Sequence, residues 1–126
     1  MSLTKFGSQV REYRRERNIT LSIMATQLST SPAFLSAMET GRSKVPMDWA
    51  SKIAQYFSST GNTVHETDLK VLAAEANDNV SLEGLPAHHK MLIAGFANSH
   101  LNQKQLAKFG ELLKEIHAED RKNDGK

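Results

Sequence analysis

Two helical segments stand so close together in this chain that only a sharp corner can join them. Residues 21–28 and 32–40 each span roughly two turns, and the stretch Ser29-Thr30-Ser31 is all that separates them. Each segment has its own start signal. Thr20 can accept a hydrogen bond from the first turn of one, and Ser31 can do the same for the other. Pro32 follows at the first helical position, where a missing N–H costs nothing. Gly41 offers the left-handed residue that ends a helix. So short a turn between short helices gives an angled pair and not a hairpin with long arms.

The rest of the chain reads as helices packed around that corner. A first helix is expected from Thr4 to Arg17, with Phe6, Val10 and Tyr13 apolar among basic residues and Asn18 as its stop. Pro46 opens a fourth helix that carries Trp49, Ile53, Ala54 and Phe57 on one side. The run 58–62, Ser-Ser-Thr-Gly-Asn, reads as a linker. Thr63 and Glu66 beyond it fit a capping box ahead of Leu69, Leu72, Ala73 and Ala76, with a stop at 77–79. Val80 and Leu82 alternate enough for a short strand. Pro86 starts a further helix toward Ser99, and Asn102 caps a last one. There Leu106, Phe109, Leu113 and Ile116 step by 3, 4 and 3, a seam suited to another helix.

Composition narrows the function classes. Without cysteine there is no disulfide framework and no thiolate metal site, which fits a reducing cytoplasm. Charge crowds residues 1–20 and no long apolar run follows, so neither a secretory signal nor a membrane helix is expected. Residues 1–57 hold eight Lys/Arg against four Asp/Glu, whereas residues 58–126 hold eight against ten. A basic front suits a polyanionic partner. His88 and His89 are adjacent, so on a helix they point about 100° apart and do not share a metal easily. No ligand spacing, phosphate-cradling loop or nucleophile motif is evident, and no metal, cofactor or enzymatic role is expected.

In an angled pair of this kind the second helix enters the DNA major groove with its N-terminal residues toward base edges. Residues 6–57 carry Val10, Arg14, Ile19, Met24-Ala25, Leu28, Ser31, Leu35, Met38-Glu39, Gly41-Arg42, Pro46 and Ile53. On these residues the segment resembles the helix-turn-helix domain of XRE-type regulators, the Cro and phage-repressor family. The resemblance implies an ion pair between Arg14 and Glu39, tying the first helix to the end of the third. It also implies a glycine in the turn, where this chain has Ser29.

On the Pro32–Thr40 helix Leu35 and Met38 should be core. Pro32, Ala33, Ser36, Ala37 and Thr40 then face outward, with Phe34 at the edge. Relatives often place glutamine, asparagine or arginine there for bidentate base contacts. This chain has none, so thymine-methyl contacts from Ala33 and Phe34, a bond from Ser36 and DNA shape would have to serve. The alternative is that this face meets protein. Phosphate contacts are expected from the N–H groups of Leu21 and Ser22 and from Arg42, Ser43 and Lys44, with Ser31 at the start of the helix. Arg11, Arg15 and Arg17 add charge.

The expectation is an all-α, lambda-repressor-like helix-turn-helix domain over residues 1–58, a helical dimerisation or partner region over 63–118, and a flexible tail over 119–126. Leu106, Phe109, Leu113 and Ile116 would join a homodimer, or else close a core within the chain against Leu92, Phe96 and Leu69. The function implied is a cytoplasmic, dimeric repressor on a palindromic operator in double-stranded DNA. The alternative is an antitoxin-type protein that binds a toxin through its acidic back half and represses its own operon.

Overall fold

A computed structural model describes residues 2–124, with side chains through Arg121. It contains α1 (Lys5–Glu16), α2 (Leu21–Gln27), α3 (Pro32–Glu39), α4 (Met47–Thr60), α5 (Glu66–Asn77), α6 (Ala87–Ala97) and α7 (Gln103–Asp124). The protein is all-α, with no strand among the described residues. None of these helices is long and apolar enough to cross a membrane.

The caps fall where short polar side chains permit them. Thr4, Thr20 and Ser31 each accept a hydrogen bond from the N–H three residues on, those of Gly7, Ile23 and Phe34. Asn18 and Ser29 both adopt left-handed backbone, at φ 54° and 57°. After α2 the Ser29 N–H reaches Thr26 O at 3.2 Å and the Thr30 N–H reaches Ala25 O at 2.9 Å, closing the helix end with paired reverse bonds. Serine is held there against the Cβ penalty of that conformation, so Ser29→Gly is expected to raise stability by about 1 kcal/mol. Equilibrium urea unfolding measures it; an unchanged or lower midpoint would contradict it.

Two compact units are present, one running through Val80 and the other starting at Ser81. The first has a core of Phe6, Val10, Met24, Leu35, Met38, Ile53 and Phe57, joined by Val64, Leu69 and Ala73. The region expected to begin at residue 63 therefore contributes α5 to the first core, and the boundary at 58–62 moves to about residue 80. The reason lies in the hydroxyls of that run. Ser59 and Thr60 return bonds to Tyr56 O at 2.7 and 3.1 Å, which keeps α4 helical. Ser58 Oγ accepts from the Val64 N–H at 2.9 Å and donates to Val64 O at 3.1 Å, turning the chain back so that α5 packs on α4.

Thr63 does not cap α5. The helix starts at Glu66 after His65, and the Glu66 carboxylate instead accepts from Ser51 Oγ at 2.6 Å and pairs with Lys70. Those partners hold the carboxyl below its ordinary pKa. The expected strand at Val80 and Leu82 is a loop. It closes in a turn with the Leu85 N–H on Leu82 O at 3.2 Å, and Gly84 at φ 83° rules out continued extension there.

The second unit holds α6 and α7, with Phe96 and Phe109 edge to face at 4.9 Å between ring centres. Asn102 and Gln105 exchange bonds of 3.0 and 2.8 Å, a reciprocal cap at the start of α7. That helix runs on through the expected tail to Asp124, because residues 119–124 contain neither Gly nor Pro to stop it. Gly125 and Lys126 lie outside the described residues.

Candidate nucleic-acid interface

The surface of α3 divides as its sequence dictates. Leu35, Met38 and Glu39 are buried, Pro32 and Ala33 are exposed, and Ser36, Ala37 and Thr40 are partly open. Phe34 sits against the Trp49 ring, 5.0 Å between centres and edge to face. It braces α3 on α4, so much of its ring is taken up by packing. The Thr40 hydroxyl donates to Ser36 O at 2.9 Å and accepts from Arg42 Nε at 3.3 Å. The outward face is thus made of short side chains, those of Pro32, Ala33, Ser36 and Ala37.

The segment after α3 is held at both ends. Gly41, at φ 77°, turns the chain, and the Ser43 N–H bonds Ala37 O at 3.2 Å. Two residues on, Asn77 grips the backbone of Val45, accepting from its N–H at 2.7 Å and donating to its carbonyl at 2.8 Å. Val45 itself is buried. Arg42, Ser43 and Lys44 are exposed in this segment. Asn77 read only as a helix stop in the sequence. A side chain that satisfies the loop backbone 32 residues away leaves no local signal.

Before α3, the Thr20 hydroxyl takes the Ile23 N–H. The N–H groups of Leu21 and Ser22 have no partner among the described residues, and Ser22 is exposed. Ser31 is exposed beside Pro32, with its hydroxyl on Phe34 N–H at 3.1 Å. Arg11 and Arg15 are exposed on α1, and Arg15 pairs with Glu12. Arg17 does a different job from the charge expected of it. Its Nε, Nη1 and Nη2 donate to Phe57 O, Tyr13 O and Asn62 O at 3.1, 3.1 and 2.7 Å, and its guanidinium lies 5.2 Å from the Phe57 ring centre. It locks α1 to the end of α4.

Beneath the surface Arg14 and Glu39 form a two-pronged ion pair, with Arg14 Nη2 on Glu39 Oε1 at 3.2 Å and Arg14 Nη1 on Oε2. Their side chains are only 7% and 5% exposed. Between Glu16 and Asp48 the chain has no acidic residue other than Glu39. Because that carboxylate is buried and matched, α2, α3 and the loop after them present no negative charge to solvent.

The dimerisation residues proposed from sequence, Leu106, Phe109, Leu113 and Ile116, all lie exposed on α7, although Phe109 also touches Phe96. Leu69, their suggested partner, is fully buried in the first unit. No cluster of three or more His, Asp or Glu placed to hold a metal ion occurs among the described residues.

Compared with known families, residues 5–67 match the helix-turn-helix domain. No curated protein and no solved structure matches the chain.

Proposed function

This chain belongs to the helix-turn-helix domain family, and from that premise we infer that it is a regulator of transcription that binds double-stranded DNA through α3. The observation that carries the reading is the surface just described. A face of small residues on α3 is flanked in the chain by two groups able to meet phosphate, and residues 17–47 carry no exposed carboxylate. The Leu21 and Ser22 N–H groups precede that face in the chain, and Arg42, Ser43 and Lys44 follow it, both suited to phosphate. Pro32, Ala33, Ser36 and Ala37 let α3 approach the groove closely. Base edges are then read through methyl contacts, a serine bond and the shape of the duplex.

The resemblance to XRE-type regulators supports a repressor without enzymatic chemistry, acting as a homodimer on two half-sites about one helical turn apart. Leu106, Phe109, Leu113 and Ile116 form the contact face for the second copy.

Ala33→Glu tests the interface. The side chain is exposed at the start of α3, where a carboxylate is tolerated or mildly favoured, so unfolding should change by less than about 0.5 kcal/mol. Affinity for duplex DNA should fall roughly a hundredfold, because the new charge faces phosphate. Undiminished binding by the folded variant would remove α3 from the interface.

A further inference from the structure

We propose that Asn77 is a positioning residue of the DNA interface, fixing the backbone from which Arg42 and Lys44 reach phosphate. This rests on the DNA-binding reading above and carries the interface's supporting structure into α5, beyond residue 67 where the family match ends.

The loop after α3 needs a partner from elsewhere in the chain. Val45 is 1% exposed, yet it belongs to no helix and makes no backbone–backbone hydrogen bond among the described residues. A buried N–H and carbonyl left unsatisfied would be costly. Pro46, next in the chain, has no N–H to offer. A carboxamide carries a donor and an acceptor side by side, and Asn77 applies both to one residue, as a neighbouring strand would. Its Oδ1 accepts from the Val45 N–H at 2.7 Å, and its Nδ2 donates to the Val45 carbonyl at 2.8 Å.

The clamp is anchored in the core. Asn77 stands one helical turn beyond Ala73, which like Leu69 is fully buried. That buried face packs α5 on α4 and α1. At the other end of the loop, the Ser43 N–H on Ala37 O ties the chain to α3. Lys44 directly precedes the clamped residue, and Arg42 directly follows the turn at Gly41. The loop is therefore ordered when the domain folds, and binding does not have to order it.

Full-length Asn77→Ala, Arg42→Ala with Lys44→Ala, and all three changes together form a cycle with the parent. Affinity would be measured across salt on the duplex that the parent enriches from a random pool, with circular dichroism as the check on folding. Asn77→Ala should weaken binding about tenfold and make the salt slope shallower by about one. It should enrich the same sequence, because α3 is untouched. With Arg42 and Lys44 already replaced, the same change should weaken binding less than about twofold. A purely structural role would not produce that coupling. If Asn77→Ala does not fold, Asn77→Ser takes its place in the same cycle, its hydroxyl able to hold a water against the Val45 backbone. Equal losses in both backgrounds would overturn the role of Asn77 and leave DNA binding standing. So would a folded variant that keeps the parent's affinity and slope. A parent that enriches no duplex would overturn the DNA-binding reading, and this inference with it.

Discussion

Gly7→Ala is expected to destabilise the first unit by about 3 kcal/mol or more, against the ordinary preference of helices for alanine. Gly7 lies in the first turns of α1, where alanine would normally gain about 1 kcal/mol. Here the end of α3 occupies the space. A Cβ on Gly7 would stand 2.0 Å from Glu39 O, and 2.7 and 2.8 Å from Glu39 C and Cα. These are backbone atoms and cannot rotate aside. The same carbonyl accepts the Thr4 N–H at 3.0 Å, so moving α3 away would also strip a bond from the start of α1. Chemical unfolding followed by circular dichroism measures the loss, with Ser8→Ala on the exposed side of α1 as the control. A neutral or stabilising Gly7→Ala would mean that α1 and α3 do not meet this closely.

The second large effect concerns the pair beneath the same contact. Arg14→Ala or Glu39→Ala alone should cost about 3–5 kcal/mol, since each leaves a charge buried without its counter-ion. Replacing both by apolar residues of similar volume, Arg14→Met with Glu39→Leu, should recover most of that loss. Burying two charges is itself expensive, and their mutual attraction repays it only in part. A double-mutant cycle reads the coupling between them. Coupling near zero would reduce the pair to two independent side chains. Both tests bear on function, because Glu39 ends the helix that is proposed to enter the groove.

Much of this architecture was legible in the sequence because it is written in local chemistry. Thr20, Ser31-Pro32 and Gly41 act within three or four residues of themselves, and α2 and α3 begin and end where those signals fall. Apolar spacing likewise identified Leu35, Met38, Ile53 and Phe57 as core. What escaped depends on neighbours distant in the chain. Gly7 is fixed by the backbone of Glu39, Arg17 by carbonyls at Phe57 and Asn62, and Asn77 by Val45. Nothing adjacent to these residues distinguishes them from an ordinary helical glycine, a solvated arginine or a helix stop. The run at 58–62 misled for a related reason. Serine and threonine suit a linker, yet their hydroxyls can equally return bonds to the preceding helical turn, and the burial of Val64 and Leu69 decides between the two.

The central claim is that α3 and its flanking groups bind duplex DNA, and selection from a random duplex pool tests it most directly. The protein would be used to enrich bound sequences, and affinity for the enriched duplex then measured from about 50 to 200 mM salt. The prediction is a short enriched site repeated about one helical turn apart. For roughly six to eight neutralised phosphates, log K should fall with log salt at a slope of about −5 to −7. Failure to enrich any sequence, with a flat salt response, would contradict the account.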